Sequence, residues 1–316
     1  MPRVERTTTE TPIELPLVGA GGETVDLWRT LLSHGFSSLP PTRIDELART
    51  LELTLRVPRG RPRRVRISAR RPGFASIEVL GRSAVSPSAR EALVGGAAHV
   101  LRLDQNLAPF YALVADDAEL AWVAVGAGRM LRSPTVFEDV VKTICTTNCS
   151  WSLTTRMVTA LVTHLGDASS GFEREPLANA FPSPSAMAAQ PESFYRTIVR
   201  AGYRAPYFRE LAGRVDSGEI DLEGLGTASR DELTDIELER FLRALPGVGP
   251  YAAAHIMMTL GRNSRLILDS WTRPTYARLL GRRTVPADRA IERRFRRYGD
   301  HAGLAFWLFV TRDWAD

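Results

Sequence analysis

The 316-residue sequence predicts an α+β protein, an N-terminal antiparallel sheet followed by a larger all-helical part. Three observations carry that reading. Apolar and polar residues alternate between about 12 and 82, the apolar period becomes helical after Pro87 and stays so, and the helical part is broken at prolines without a repeat of fixed length.

Taken in order, residues 1–11 are polar and read as a disordered tail. Leu51, Leu53, Leu55 and Val57 alternate with polar residues, as do Val65 and Ile67, and then Ala75, Ile77 and Val79; each run predicts a half-buried strand. Val57-Pro-Arg-Gly-Arg-Pro-Arg-Arg-Val65 carries the turn residues of a hairpin between the first two. Its arginines (Arg56, Arg59, Arg61, Arg63, Arg64, Arg66) form either a solvated face or a track for phosphates. Ser88-Ala-Arg-Glu and Ser133-Pro-Thr-Val-Phe-Glu have the caps, proline and early acidic residues of helix starts. Pro176 and Pro182-Ser-Pro184 interrupt the later helices. The expected division is a tail at 1–11, a sheet domain at 12–125 and a helical domain at 126–316.

Composition narrows the chemistry. Forty-one basic residues against thirty-six acidic ones leave +5, a mild field compatible with a polyanionic partner. At 44 % apolar and 24 % charged the chain reads as globular, without an apolar run near the ~20 residues of a membrane span. The start lacks the apolar stretch of a signal peptide, so a cytoplasmic protein is expected. Cys145 and Cys149 are too few for a disulfide framework or a four-cysteine iron–sulfur site. Lys142 is the sole lysine, a bias that a genome rich in G and C would also give. A side-chain amine nucleophile could therefore come only from Lys142 or the chain terminus.

Residues 235–269 are the most informative. Ile236, Leu238, Phe241 and Leu242 give one helix an apolar face, which ends at Leu245-Pro-Gly-Val-Gly249 before a second helix starts at Pro250. Gly247 and Gly249 around Val248 allow a tight hairpin with bare backbone N–H groups at a helix N-terminus, a place suited to a phosphate oxygen. Arg265-Leu-Ile-Leu268 then leads to Asp269, which is either the cap of the helix containing Trp271 or a functional carboxylate twenty residues beyond Gly249.

Leu245-Pro-Gly-Val-Gly249 with Asp269 resembles the helix-hairpin-helix DNA glycosylase superfamily, nearest to its 8-oxoguanine and alkyl-base (3-methyladenine) branches. Leu101-Arg-Leu-Asp-Gln-Asn-Leu, Phe137-Glu-Asp-Val-Val-Lys-Thr-Ile-Cys-Thr-Thr-Asn148, Phe181-Pro-Ser-Pro, Gly202-Tyr-Arg-Ala-Pro-Tyr207 and Gly299-Asp-His-Ala-Gly303 add to the likeness, which covers roughly residues 100 to 316. The resemblance implies an enzyme that flips a damaged or modified base out of double-stranded DNA and hydrolyses its N-glycosidic bond, with Asp269 as the catalytic group. Tyr251 stands where bifunctional members carry a Schiff-base lysine, which implies a monofunctional glycosylase that leaves an abasic site. The resemblance gives Asn148 the gap left by the extruded nucleotide, Tyr203 the wedge, and Arg204 the orphaned base, with Leu153 in place of a companion arginine. Gly247, Val248 and Gly249 would hold DNA phosphate.

The implied base pocket is Tyr251, His255, Trp271 and Phe306, with Val310 replacing a neighbouring aromatic. Tyr251 reads alternatively as an aromatic packed on the helix surface, and His255 as a satisfied core histidine. Phe306 stands where a glutamine reads 8-oxoguanine, which points away from that base and toward an alkylated purine or a bulky modified base such as a glycosylated cytosine of phage DNA. Cofactors are not required on this reading; backbone carbonyls of Arg243, Leu245 and Val248 would hold a potassium-like cation, and an iron–sulfur cluster is not expected. The resemblance implies double-stranded DNA containing a damaged or modified base as partner, hence a nucleoid-associated protein, and a monomer as its state. The competing reading is a non-catalytic helix-hairpin-helix DNA-binding module.

Overall fold

A computed structural model of the chain describes residues 12–81, 84–173 and 175–314; the expected tail at 1–11 lies outside them. Five strands, β1 (Ile13–Pro16), β2 (Arg43–Asp45), β3 (Thr50–Leu55), β4 (Arg63–Arg71) and β5 (Phe74–Val79), form one antiparallel sheet in the order β1-β5-β4-β3-β2. The three alternating runs become β3, β4 and β5, with Leu51 opposite Ile67, Leu53 opposite Val65, and Ile67 opposite Ile77. This register turns all five residues to one buried face.

Within the segment that reads as β-like, Leu27–Leu31 is instead a helix, α1, followed by a 3-10 turn at Gly35–Ser38. The reason is local. Asp26 caps α1 by accepting the Arg29 N–H at 3.0 Å, and a capped turn satisfies backbone groups that alternation alone does not reveal.

The helices that follow are α2 (Pro87–Val100), α3 (Ala108–Val114), α4 (Val136–Thr146), α5 (Trp151–Leu165), α6 (Pro184–Ala188), α7 (Glu192–Thr197), α8 (Ala205–Asp216), α9 (Leu222–Leu225), α10 (Asp235–Arg243), α11 (Pro250–Thr259), α12 (Thr272–Leu279), α13 (Asp288–Phe295) and α14 (Ala302–Thr311). The two expected helix starts are α2 and α4, capped by Ser86 and Thr135.

Three cores result. The sheet packs on α2 through Leu51, Leu53, Ile67, Leu93 and Ala97. A first helical core joins α4, α5 and α8 to α10 and one side of α11. A second joins α12 to α14 with the other side of α11, and it includes residues 107–130 (Leu107, Phe110, Val123, Met130) although these precede α4 in sequence. Of the six arginines at the β3–β4 hairpin, five are engaged within the chain. Arg56 pairs with Asp167 and donates to the Phe181 carbonyl, Arg61 pairs with Glu173, Arg66 with Glu52, Arg63 donates to the Ala84 carbonyl, and Arg64 is buried against Pro41. They fasten the sheet to its surroundings.

Candidate active site

The site lies where the two helical cores meet. A cleft of about 910 Å³ opens there, lined by the hairpin, the Asp269 segment, the α4–α5 turn and aromatic residues from both ends of the chain.

Its rim is the expected hairpin. Thr234 and Glu237 close a capping box that starts α10: the Thr234 hydroxyl accepts the Glu237 N–H at 3.3 Å, and the Glu237 carboxylate accepts the Thr234 N–H at 3.0 Å. The Val248 N–H then donates to the Leu245 carbonyl at 3.2 Å and turns the chain. Gly247 has φ +78°, and a Cβ there would stand 2.8 Å from the Tyr207 ring, so both conformation and space demand glycine. Gly249 is extended and caps α11, and a Cβ there would meet no atom within 4 Å. The first glycine shapes the turn. The second keeps the mouth of a helix N-terminus bare, with Pro250 in the first turn where its missing N–H costs nothing.

Helix α11 descends from that mouth between the two cores, buried on every side beyond Tyr251. The Tyr251 hydroxyl lies 3.3 Å from the Thr146 hydroxyl. Burial raises its pKa, the Thr146 contact opposes this, and the Asp269 charge raises it further, so the phenol keeps its proton. One turn deeper, His255 stacks on Phe36 with ring centres 4.3 Å apart, and His34 meets it edge-on at 5.6 Å. Burial, together with the neighbouring His34, pushes His255 down to about 3; His34 itself is pushed down to about 4 by burial. Both imidazoles are neutral.

Asp269 is both the cap and a cleft residue. Its Oδ1 accepts the N–H groups of Trp271 (2.8 Å) and Thr272 (2.6 Å), while the Thr272 hydroxyl accepts the Asp269 N–H at 2.9 Å and donates to the Ile267 carbonyl at 2.8 Å. These bonds hold the carboxylate rigidly at the start of α12. Oδ2 has no partner among the described residues, and no described cation pairs with the group; Arg273, one turn on, is engaged bidentately by Asp288 at 2.7 and 2.9 Å. A fixed carboxylate with one free oxygen facing a cleft suits stabilisation of positive charge or activation of water.

Three tryptophans, Trp271, Trp307 and Trp314, cluster with centroids 5.3 to 6.1 Å apart on one wall. The half-exposed Trp151 lies toward the loop that carries His34, its ring against Gly35, where a Cβ would come within 3.0 Å. Such a cavity is shaped for a flat ring system.

Several expected residues come together here: Asp269, Tyr251, His255, Trp271, Gly247, Gly249, Asn148 and Tyr203 all line the cleft. Asn148 has φ +45°, is exposed, and donates from its amide to the Tyr203 hydroxyl at 3.4 Å. Val248 is buried and supports the turn through its side chain.

Two expectations fail. Phe306 is not in the pocket; it is fully buried, 5.3 Å from the Phe295 ring and 6.1 Å from Tyr276, and Trp307 faces the cleft instead. α14 is apolar and buried all round, so its sequence carries no signal of which side meets the cleft. Arg204 does not line the cleft either. It is 3 % exposed, its Nε donates to the Ile144 carbonyl (3.1 Å) and the Thr147 hydroxyl (3.2 Å), and the Tyr203 ring covers its guanidinium at 4.4 Å. Arg204 fastens the Thr147–Asn148 turn to Tyr203. Lys142 is buried and paired with Glu138 at 2.6 Å, away from the cleft lining.

Sequence reasoning missed His34, Phe36, Trp151, Trp307 and Trp314. Long-range packing alone brings them together, and no local spacing announces it.

Solved structures share this fold. A 3-methyladenine DNA-glycosylase from Archaeoglobus fulgidus superposes with TM-score 0.71 at 20 % identity, over 96 % of this chain and 99 % of that one. The 8-oxoguanine glycosylase/lyase of Clostridium acetobutylicum matches in its apo form with TM-score 0.68 at 17 % identity, over 96 % and 97 % of the two chains. In complex with double-stranded DNA containing cytosine opposite 8-oxoG it matches with TM-score 0.59 at 20 % identity, over 83 % and 88 %. No protein-family model matches the chain, and no curated protein matches it. The fold is that of the helix-hairpin-helix DNA glycosylases.

Proposed function

We propose that this chain, built on the fold of the helix-hairpin-helix DNA glycosylases, binds duplex DNA, turns one damaged or modified nucleotide into the cleft and hydrolyses its base from the sugar. The observation that carries this is Asp269, fixed by its own cap with one oxygen free, on the wall of an aromatic cleft whose rim is the glycine hairpin. Phosphate meets the N–H groups around Gly249. Asn148 and Tyr203 fill the gap in the stack, which costs a few kcal/mol to open. As the bond from C1′ to the base nitrogen breaks, the base leaves with the electron pair and C1′ becomes positive. Asp269 stabilises that charge, a water oxygen bonds to C1′, and the water proton passes through the carboxylate to solvent. An abasic site remains.

The reaction is monofunctional on this reading, because the only lysine is buried against Glu138 and an aromatic hydroxyl, Tyr251, stands at the top of α11. The tryptophan wall favours an alkylated purine or a bulky modified base, such as a glycosylated cytosine of phage DNA, over 8-oxoguanine. Helix α14 presents Trp307 to the cleft, and its indole N–H is already donated to the Ser33 carbonyl at 2.7 Å, so the Trp307 side chain does not read a guanine edge.

A monovalent cation suits the hairpin. The carbonyls of Arg243 and Leu245 lie where α10 ends and helical partners run out, that of Val248 just before the α11 cap at Gly249, and the Leu245 oxygen keeps a lone pair beside the Val248 N–H. Bound there, the cation would offset phosphate charge. The protein acts as a monomer in the cytoplasm on this proposal.

The test is Asp269→Asn, assayed with wild type on alkylated, deaminated and phage-modified DNA. Asparagine keeps the cap, so the fold survives while base release falls by roughly 10²–10³. Undiminished release refutes the role of Asp269. Release by neither protein, with DNA binding intact, favours a non-catalytic helix-hairpin-helix module.

A further inference from the structure

We infer that His255 donates a hydrogen bond from Nε2 to the base being released, and that of the two substrate classes above the site takes the uncharged modified base, with a carbonyl oxygen or ring-nitrogen lone pair at its deep edge, rather than a cationic alkylated purine. The inference deepens the glycosylase reading and rests on it.

His255 is 4 % exposed yet lines the cleft. Its Nδ1 is enclosed, with its own backbone carbonyl nearby but no partner at hydrogen-bonding geometry. Nε2 has no protein partner among the described residues and is not one of the enclosed atoms, so this is the nitrogen that meets the cleft. A neutral imidazole carries a single proton. An enclosed N–H without an acceptor is rarer in proteins than an enclosed acceptor without a donor, which sets the proton on Nε2, pointing at the ligand.

The ring is held in place. Phe36 stacks on it, and Phe36 is fixed by His34, whose Nδ1 accepts the Phe36 N–H at 3.2 Å while its Nε2 donates to the Leu131 carbonyl at 2.5 Å. His34 is a positioning residue with both nitrogens satisfied. His255 is the one with a bond left to make. Burial keeps its ring uncharged at physiological pH, so it offers a donor without a competing cationic form.

The chemistry selects the base. An uncharged base leaves as an anion, because it departs with the electron pair of the C1′–N bond, and the new charge gathers on its carbonyl oxygens and ring nitrogens. A fixed N–H at that edge is stronger in the transition state than in the ground state and so speeds release. An N-alkylated cationic purine leaves neutral and has no such charge to stabilise. Asp269 serves the sugar and His255 the departing base; the released anion takes its proton from solvent.

The experiment uses full-length protein and duplex oligonucleotides carrying uracil, hypoxanthine, 5-hydroxymethyluracil or N7-methylguanine, in single turnover. His255→Phe keeps an aromatic ring on Phe36 and removes the donor; His255→Gln keeps a donor. Wild type releases at least one uncharged base, His255→Phe slows that release by roughly 100-fold, and His255→Gln recovers most of it. The loss on N7-methylguanine is at least about tenfold smaller. Equal losses on both classes overturn the inference, as does release of N7-methylguanine and none of the uncharged bases. Nitrogen-15 spectra of the imidazoles give a readout independent of turnover. His255 carries its proton on Nε2 at neutral pH, and a proton on Nδ1 overturns the inference while leaving the glycosylase reading intact. Undiminished release by Asp269→Asn overturns that reading instead.

Discussion

The two hairpin glycines allow shape and binding to be separated by mutation. In Gly247→Ala the backbone stays at φ +78°, where an L-residue costs roughly 1–2 kcal/mol, and the new methyl sits 2.8 Å from the Tyr207 ring with the Ile144 side chain at 3.4 Å behind it. Pushing Tyr207 aside adds about 1–2 kcal/mol, for a total near 3 kcal/mol. In a chain of this size that lowers Tm by roughly 6 °C. Gly249→Asp is the opposite case. The position is extended, open to solvent and the cap of α11; aspartate is a better cap than most residues and complements the helix dipole, so stability holds or rises by about 0.5 kcal/mol. The same carboxylate stands where a phosphate would bind, and DNA affinity falls by about tenfold with a shallower dependence on salt. Thermal unfolding and fluorescence-anisotropy titrations of a duplex at two salt concentrations read both quantities. An unchanged Tm for Gly247→Ala refutes the steric argument, and undiminished DNA binding by Gly249→Asp refutes the hairpin as the phosphate site.

Borohydride treatment during base release captures no covalent protein–DNA species, because a Schiff base needs an amine and Lys142 is sealed against Glu138; a trapped adduct on a denaturing gel contradicts the monofunctional reading. Asp139 on α4 is 2 % exposed, and burial pushes its carboxyl up to about 6 despite the Ser133 N–H it accepts at 3.0 Å. Between the ordinary carboxylate range and pH 6 the folded protein thus binds more protons than the unfolded chain, so this group's contribution falls as pH rises through that window, by up to about 3 kcal/mol. Asp139→Asn removes the dependence, and the difference between wild-type and variant urea midpoints moves in the variant's favour from pH 4 to pH 7. A constant difference refutes the assignment.

The hairpin, α11 and Asp269 were legible in the sequence because each is settled within a few residues. Glycine alone tolerates Gly247's backbone, proline fits a first helical turn, and a carboxylate two or three residues ahead of free N–H groups caps them. The strands β3 to β5 were legible for a similar reason, since a sheet with one buried face imposes alternation. Where a helix is buried on all sides, or where a side chain's neighbour comes from a distant segment, that local logic gives out. Phe306 and Trp307 are equally apolar neighbours, and only the packing of α14 against Phe295 and Tyr276 decides which of them reaches the cleft. Arg204 is drawn inward by the carbonyl of Ile144, sixty residues earlier. The cleft floor joins His34 and Phe36 to His255 across more than two hundred residues. The sequence by itself determined the glycine turn and the carboxylate that shares its cleft, through conformational and capping rules that act locally; tertiary structure alone decided what else lines the pocket, because burial and pairing depend on which distant segments pack together.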